Sequence, residues 1–415
     1  MKKLVISLFL LTIGSYGIYC KAEKKVQTKQ VSVLITNSWN KAKENEPVVI
    51  NLKNLGVSFN VKSAVVKDND KEIPSQVDDL NGDCKSDELA FVLNIPANTK
   101  KRISIVLSSE KSNKQYPQGV YVDLLLRDKV GKTGKNVPIK SLTVPGSSNV
   151  YSLLMHHGPA FESELTAFRV YFNSKQTVDL YGKFHKGLEL KESEFYPSDA
   201  QLAKGFGDDV LKVLNSCGLG TIRGWNGSSI TNIEPVEYLT ETVQAYGPIR
   251  SVVDIINTDW KYQGSDLNMR VRYILYSGHR DCQVQVSFDD PLKNEVFATG
   301  VQKVGQPQGF TDHKGLVASW GTDWPVDDTI KYHKETVGLA TMIPSHFVKS
   351  EIEDPADYLY QIAAPGKKDF NYYISFTSTK ETFGYKTPKE WFDYATEWKE
   401  ELTHPVSVTI INKTK

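Results

Sequence analysis

The chain has 415 residues, of which 40% are hydrophobic and 24% are charged, and its 50 lysines and arginines nearly balance its 49 aspartates and glutamates. This balance argues against a nucleic-acid partner held by a global basic field, so an anionic ligand has to be met by local groups. The length suits two or three domains with a large buried core.

The N-terminus has the pattern of a secretory leader. Two lysines precede an uncharged, mostly apolar stretch over residues 4–18, which is too short to span a bilayer as a mature helix. We therefore expect a signal peptide over residues 1–22, cleavage after Ala22 and a periplasmic or secreted product. Cleavage before Cys20 would instead give a lipid-anchored protein, and that alternative stays open. No later run is apolar for long enough to span a membrane, so we expect no transmembrane segment after removal of the leader.

Residues 23–112 are predicted to form a small N-terminal β-sandwich. Its apolar runs are short, rich in β-branched residues and often alternating, which is typical of antiparallel strands. These runs include VSVLI (31–35), PVVINL (47–52) and KRISIVL (101–107). The polar segment SSEKSNKQYPQG (108–119), with its proline and glycine, is the predicted linker to a larger second domain.

One loop of the first domain has the spacing of a calcium site. DLNGDCKSDEL places Asp79, Asn81, Asp83 and Asp87 at positions one, three, five and nine. Hard oxygen ligands at alternating positions of a tight loop are what calcium requires, and such an ion would be structural. Cys84 stands where loops of this kind usually have glycine. The alternative is an Asx-rich turn in which the same side chains bind the backbone of their own loop.

The second domain, residues 118–415, is predicted to be a large antiparallel β-sandwich, because the helices that a parallel sheet needs between its strands are missing. Two helices are expected. The first covers DDVLKVL (208–214), which has acidic residues at its start. In the second, Thr387 is the N-cap, Pro388 is the first helical residue and Glu390 completes a capping box. Its apolar face, expected to bury two indoles at the sheet edge, consists of Trp391, Ala395, Trp398 and Leu402.

We expect no organic cofactor. GKTGKN (131–136) lacks the full phosphate-loop pattern and leads into no helix. Cys84, Cys217 and Cys282 remain after the leader, an odd number without CxxC spacing, which predicts buried free thiols rather than a disulfide framework or a zinc site. The histidines show no HExxH spacing, and a Gly-x-Ser-x-Gly elbow is absent.

The stretch 156–187 concentrates groups that carry protons or positive charge around strand-like runs. Its adjacent histidines, His156 and His157, face opposite sides of an extended chain, so only one can point into a given cleft. In FRVYF the alternation puts Arg169 and Tyr171 on one face. In VDLYGKFHKG the residues that share a face by the same parity are Asp179, Tyr181, Lys183 and His185. Two such strands side by side would form a polar floor, and a solvated outer face of an edge sheet is the alternative.

Three blocks of the second domain carry a family resemblance. HHGPAFESE, VYFNSKQTVDLYGK and YPSDAQLAKGFGDDVLKVLNSCGLGTIRGWNG resemble a family of bacterial polysaccharide-utilisation systems that was long labelled a domain of unknown function. One branch of it is described as an ulvan oligosaccharide dehydratase. The resemblance covers most of residues 118–415 and implies a supersandwich similar to galactose mutarotase. This chain departs from the pattern at Asn226, where aspartate is expected, and at Cys217.

The resemblance implies β-elimination on an acidic oligosaccharide that ends in a uronate. A base removes the proton on C5 beside the carboxylate, and an acid protonates the C4 hydroxyl as it leaves. The negative, enolate-like charge that develops beside the carboxylate as C5 loses its proton must be stabilised. A guanidinium can do this with two parallel hydrogen bonds. The expected catalytic residues, with base and acid unassigned, are His156, His157, Tyr171, Lys183 and His185. The expected substrate-binding residues are Arg169, Tyr181, Arg250, Arg272 and, as an apolar platform for a sugar ring, Trp225.

Two other functions stay open. The first is a glycoside hydrolase of the same kind of pathway, whose two carboxylates would be Glu162 and Glu164, although parity puts them on one face or in one loop rather than on opposite walls. The second alternative is a non-catalytic glycan-binding β-sandwich that only presents aromatic rings.

Overall fold

The computed structural model describes residues 25–128, 135–330 and 332–411. The predicted signal peptide, with Ala22 and Cys20, lies outside the described residues, and so does most of the GKTGKN loop. Within the described ranges no helix is both long and apolar enough to cross a membrane.

The N-terminal part of the chain is a sandwich of two antiparallel sheets. Its strands are β1 Thr28–Asn37, β2 Lys43–Asn51, β3 Ser63–Asp68, β4 Lys71–Ile73, β5 Ser75–Asp78, β6 Glu88–Ile95 and β7 Thr99–Ser108. A 3-10 turn, Leu52–Leu55, follows β2. Alternation drives this fold, since Val33 and Ile35 of β1 are fully buried in a core that also contains Phe91 and Ile105.

The rest of the chain is a larger assembly of antiparallel strands with three α-helices in the described residues. The helices are α1 Leu190–Ser193, α2 Asp199–Leu202 and α3 Pro388–Thr403, and 3-10 turns lie at Met155–His157 and Ser345–Phe347. The strands up to the centre of the chain are β8 Val120–Asp123, β9 Leu125–Leu126, β10 Val137–Pro138, β11 Ser141–Pro145, β12 Ala160–Ser163, β13 Ala167–Val170, β14 Val178–Gly182, β15 Asp208–Asp209, β16 Arg223–Trp225, β17 Ile230–Thr231 and β18 Tyr238–Tyr246. The remaining strands are β19 Arg250–Tyr262, β20 Ser265–Tyr276, β21 Asp281–Phe288, β22 Val296–Gln302, β23 Gln308–Thr311, β24 Leu316–Asp323, β25 Glu335–Met342, β26 Val348–Glu353, β27 Asp357–Ala363, β28 Asp369–Ser378 and β29 Ser407–Ile411.

A nine-stranded sheet organises this larger part, in the order β11-β18-β19-β20-β21-β28-β25-β24-β23. Two five-stranded sheets, β15-β14-β13-β12-β8 and β17-β16-β22-β27-β26, share one apolar core with its inner face. Phe168, Tyr273 and Phe297 meet in that core, one from each sheet. This arrangement confirms the predicted mainly antiparallel β fold with few helices.

The outer face of the nine-stranded sheet is covered by two elements. Helix α3 begins with the predicted capping box at Thr387 and Glu390 and buries Trp391 and Trp398 against β24 and β25. Beside it, the smaller N-terminal sheet packs through Ala90 on residues of β19 and β20. The helix and its buried indoles were therefore predicted correctly.

Three details differ from the sequence analysis. Residues 208–214 are not helical, because Asp209 pairs with Tyr181 of the neighbouring strand and the apolar side chains that follow enter the large core. Strand β29, assigned by the sequence analysis to the second domain, pairs along β1 and forms the edge of the N-terminal sheet. Cys217 and Cys282 are buried free thiols, whereas Cys84 is exposed.

Candidate functional site

A buried arginine lies at the centre of the cluster that the stretch 156–187 forms. Arg169 of β13 stands directly opposite Asp179 of β14, and its Nε and NH2 atoms lie 2.9 and 2.6 Å from Oδ2 of that carboxylate. Asp209 of β15 reaches the same NH2 at 2.8 Å. Three adjacent strands therefore place two carboxylates around one guanidinium.

Two phenols complete the shell around Arg169. NH1 donates to the Tyr196 hydroxyl at 2.7 Å, and NH2 donates to the Tyr171 hydroxyl at 3.0 Å. The Tyr171 hydroxyl itself donates to Asp179. The guanidinium carbon lies 4.2 Å from the centre of the buried Phe195 ring. Because its donors are engaged in this way, Arg169 cannot also clamp a substrate carboxylate as a free bidentate fork, which was its predicted role.

Tyr196 reaches this position because helix α1 ends in a tight reversal. Glu194 and Phe195 both adopt left-handed backbone conformations, with φ of 46° and 66°. The reversal buries the Phe195 ring and brings Tyr196, which remains 42% exposed, over the guanidinium. The site therefore has a phenol that is both open to solvent and hydrogen-bonded to a cation.

Histidine 157 stands at the exposed side of the cluster. Its ring stacks on Tyr151 at 3.6 Å between centroids, and Nδ1 donates to the Tyr151 carbonyl at 2.8 Å. Its ring centroid is 6.2 Å from that of Tyr171 and 6.4 Å from that of Tyr196. Since a carbonyl can only accept, Nδ1 carries the hydrogen and Nε2 of the neutral ring has a free lone pair. Nε2 has no hydrogen-bond partner in the part of the chain that the structure describes.

Electrostatics favour a neutral His157 and a protonated carboxyl nearby. Burial, with Arg169 close by, lowers the pKa of His157 from its ordinary value. Burial and the Asp179 carboxylate raise the pKa of Asp209 well above its usual range, although Arg169 opposes this. Asp209 therefore takes up a proton more readily than an ordinary aspartate.

The backbone before β12 sends the two histidines in different directions. His156 and His157 both have left-handed conformations, with φ of 50° and 65°, so the simple alternation of a strand does not hold. Gly158 follows, and a Cβ there would lie 1.8 Å from the Val170 carbonyl oxygen. The glycine thereby allows the turn to press against the end of β13.

His156 lies behind the cluster and is fully buried. Its Nδ1 is 3.5 Å from Oδ1 of Asp123, and neither ring nitrogen has a hydrogen bond within the described residues. Burial lowers the pKa of His156 to about 3 and raises that of Asp123 to about 7. A group without access to solvent or ligand does not have the geometry of the predicted acid or base.

Lys183 and the two glutamates proposed for a hydrolase are used inside the fold. Lys183 is fully buried, with Nζ 2.5 Å from Oε2 of Glu162 and 2.8 Å from the Ser163 carbonyl. Glu162 also accepts from backbone N–H groups at the start of α1. Glu164 accepts from the Gly278 N–H at 2.8 Å. These charges hold loops together, so they are not free for proton transfer.

Two further residues predicted from strand parity lie outside the cluster. Strand β14 ends at Gly182, so alternation no longer applies at His185, which is exposed in the following loop. Tyr181 is fully buried, and its hydroxyl donates to Glu189 at 2.8 Å. Both side chains are thus separated from the exposed face of the site.

The two other predicted arginines join the N-terminal sandwich to the large sheet. Arg250 binds Asp78 and Glu88, each at 2.8 Å. Arg272 makes two contacts of 2.7 Å with Asp254 and donates to the Leu80 carbonyl at 2.9 Å. They were not recognisable as structural from sequence, because several of their partners lie more than a hundred residues away.

Trp225, the predicted platform for a sugar ring, is part of a small core. It is 9% exposed and packs with Val296 and Ala298. Asn226 beside it forms a local turn by accepting from the backbone N–H groups of Ser228 and Ser229. An indole buried in this way offers little surface to a ligand.

In the loop predicted to bind calcium, the acidic side chains bind their own backbone. Asp79 accepts from the N–H groups of Asn81, Gly82 and Cys84 at 2.7 to 3.3 Å. Cys84 takes the left-handed conformation, with φ of 66°, that glycine usually supplies. In the described ranges no group of three or more His, Cys, Asp or Glu side chains is placed to hold a metal ion. This is the hydrogen bonding of the Asx-turn alternative, and calcium binding stays a prediction.

Three residues of the cluster were not predicted from the sequence to belong to the site. Asp209 was assigned to a helix start, and Tyr151 lies outside the stretch that drew attention. Tyr196 stands at the head of a resembling block, YPSD, which was its only signal. The ion pair between Arg169 and Asp179 could have been predicted, since the two residues were expected on matching faces of neighbouring strands.

The fold and site define a multi-sheet antiparallel β protein in which a half-buried imidazole and partly exposed phenols surround a buried arginine-carboxylate cluster. The chain belongs to the family described as domain of unknown function DUF4861, whose profile matches residues 35–408. It is also similar to "Uncharacterized protein P7" of Formosa agariphila, with 23% identity over 361 residues, which cover 81% of this chain and 82% of that protein.

Two solved structures are similar to this chain at low TM-scores. One is a protein in glycosyl hydrolase family 38 from Enterococcus faecalis, with a TM-score of 0.48 and 9% identity over 92% of this chain. The other is an alpha-mannosidase from Enterococcus faecalis V583, with a TM-score of 0.43 and 9% identity over 93% of this chain. The chain spans about half of their length, 47% and 46% respectively.

Proposed function

We propose that this protein is a carbohydrate-active enzyme that catalyses β-elimination of water from uronate-bearing oligosaccharides at the His157 cluster. The observation that carries the proposal is the bond from Nδ1 of His157 to the Tyr151 carbonyl, 2.8 Å long. This bond leaves Nε2 of His157 unprotonated, near the Tyr171 and Tyr196 hydroxyls that accept hydrogen bonds from Arg169. A neutral imidazole with a fixed tautomer is suited to take a weakly acidic proton.

In the proposed reaction, Nε2 of His157 removes the C5 proton, and the C5–H electron pair forms the double bond to C4. The C4–O bond breaks at the same time, and the leaving oxygen takes a proton from the Tyr196 hydroxyl to depart as water. Arg169 stabilises the phenolate that remains, since it already donates to that oxygen. Proton exchange with solvent restores His157 and Tyr196.

Tyr196 is the better acid of the two phenols. Burial raises its pKa, but the adjacent Arg169 guanidinium works in the opposite direction. Burial and the Asp179 carboxylate both raise the pKa of Tyr171, and its proton already bonds to Asp179. We therefore assign Tyr171 to positioning Asp179 and Arg169.

Recognition of the uronate requires a donor to its carboxylate. A protonated Asp209 carboxyl, only partly buried at the rim of the cluster, supplies one. Tyr151, with 36% of its surface exposed, offers an aromatic face beside it. A substrate carboxylate would raise the pKa of Asp209 further, which strengthens its donor role.

The test is to incubate the purified protein with saturated, uronate-terminated oligosaccharides and to record near-ultraviolet absorbance and product mass together. Elimination gives a conjugated double bond and the loss of one water. New reducing ends without that absorbance would instead indicate hydrolysis. Binding without either product would indicate the non-catalytic alternative and would end the proposal.

A further inference from the structure

A cavity of about 570 Å³ lies on the outer face of the nine-stranded sheet, between the N-terminal sandwich and helix α3. Its floor includes Gln283 and Tyr373 of the sheet. Lys43 and Val48 of β2 form one wall, and the helix forms the other. None of the groups around His157 contributes to its lining. The volume falls within the range of about 300–1,000 Å³ that is usual for small-molecule sites.

Aromatic rings dominate the wall that is formed by α3 and the segment before it. Tyr385 and Tyr394 lie 4.8 Å apart between ring centroids, and Tyr394 is nearly parallel to Trp398, with 9° between their planes. Phe383 and Tyr373 also line the cavity, and each is only partly buried. Faces of this kind suit the C–H face of a pyranose ring.

Several charged groups of the lining are paired within the protein, whereas Glu44 and Lys186 of the lining make no ion pair within the described residues. Lys43 lies 3.0 Å from Glu46, and Arg280 lies 2.8 Å from Glu381. His279 donates from Nδ1 to Asp281 at 2.9 Å and from Nε2 to the Asn45 carbonyl at 2.8 Å. Sugar hydroxyls would find fixed donors and acceptors in the paired groups.

The same pairing shows that the cavity is built for binding rather than for proton transfer. Burial works against the charged form of His279, but its bonds to Asp281 and to the Asn45 carbonyl raise its pKa to about 9. Both ring nitrogens therefore carry hydrogen at neutral pH and are occupied. The His279 ring therefore offers no free lone pair comparable to Nε2 of His157.

We propose that this cavity is a second carbohydrate site, which binds an uncharged pyranose unit by stacking on Tyr385 and Phe383. It lies on the sheet face opposite to the core that carries β13 and β14, so it does not depend on the proposed elimination. A site of this kind would anchor a neutral part of a polysaccharide while another part reacts.

The experiment uses the full-length mature protein and five probes, the methyl pyranosides of glucose, galactose, mannose, xylose and rhamnose. Binding is measured by saturation-transfer NMR and calorimetry for the wild type, Tyr385→Ala and Phe383→Ala. The matched control is Tyr238→Ala, which removes an exposed tyrosine far from the cavity on β18. Thermal unfolding of each variant shows that it is folded.

The expected result is that at least one glycoside binds and that its affinity falls on the order of tenfold in both cavity variants, since each loses a stacking face. Tyr238→Ala and His157→Gln should bind as the wild type does. The proposal is overturned if no glycoside binds at concentrations on the order of 10 mM, or if both cavity variants keep wild-type affinity. Loss of binding in His157→Gln would place the ligand in the other site and would also overturn it. Failure of elimination alone leaves these outcomes unaffected.

Discussion

At the scale of single residues, the candidate site depends on where the backbone leaves the extended conformation. Strand alternation correctly put Arg169 and Tyr171 on one face and their apolar neighbours in the core. The same rule put His156 and His157 on opposite sides but could not tell which one reaches the cluster, because both residues have positive φ. His156 is buried, whereas His157 is half-buried and has a free lone pair.

The first prediction concerns His157. His157→Gln preserves a side chain that can donate to the Tyr151 carbonyl but removes the basic nitrogen. We expect turnover of a uronate-terminated oligosaccharide to fall by about 100-fold or more, in the range that general-base catalysis contributes. The melting temperature should change little, since the ring is only half-buried. Parallel losses of activity and thermal stability would instead assign His157 a structural role.

The second prediction is the pH dependence of that activity. A general base must be unprotonated, and burial lowers the pKa of His157 below its ordinary value of 6.5. The acid limb of the kcat/KM profile should therefore have its midpoint below pH 6.5, because protonation of His157 requires a more acidic solution. The profile is measured with one buffer series at constant ionic strength. A midpoint above that value would exclude His157 as the base.

Among the secondary-structure elements, those encoded by local sequence signals were predicted better than those that depend on long-range strand pairing. The capping box and apolar stripe of α3 are contained in one stretch of sequence, so the helix could be predicted to within a residue or two. The segment 208–214 has a similar local pattern but pairs with β14 instead, since its tertiary partners outweigh helix propensity. Asp209 entered the site by this route, which no local pattern indicates.

The third prediction distinguishes a calcium site from an Asx turn in the loop at residues 79–87. Asp79→Ala removes the acceptor for three backbone N–H groups. The free energy of unfolding should therefore fall by about 1 kcal/mol or more, and the melting temperature should fall with it. Asp70→Ala, in an exposed turn of the same domain, is the matched control and should be neutral. Each protein is melted with and without EDTA. If EDTA destabilises the wild type but not Asp79→Ala, the loop binds calcium; if it affects neither, the Asx turn alone explains the loop.

At the scale of the whole molecule, buried ion pairs tie the N-terminal sandwich to the large sheet. Arg250 binds Asp78 and Glu88 across this junction, whereas Arg272 pairs with Asp254 inside the large sheet and reaches the sandwich through the Leu80 carbonyl. The chain also returns at its end, where β29 pairs along β1. The sequence predicted the β architecture of each part well, because alternation is local. The two arginines were predicted to bind substrate because Asp78, Glu88 and Leu80, which they contact, are distant in sequence.

The fourth prediction tests the buried pair of Arg272 with Asp254, using two arginines of one strand. Arg272→Ala leaves Asp254 buried without a partner, and the expected loss is about 3–5 kcal/mol of unfolding free energy. Arg270→Ala, two residues earlier on the exposed face of β20, should cost less than about 0.5 kcal/mol. Chemical denaturation followed by fluorescence measures both. Equal effects would mean that the buried pair does not stabilise the protein.

The central claim is that a neutral imidazole beside an arginine-bound phenol removes the C5 proton of a uronate. The most direct measurement is turnover of a saturated, uronate-terminated oligosaccharide labelled with deuterium at C5, followed by absorbance and mass. We expect a conjugated product that has lost the label, formed several-fold more slowly than from the unlabelled substrate. A product that keeps its C5 deuterium, or new reducing ends without a double bond, would contradict it.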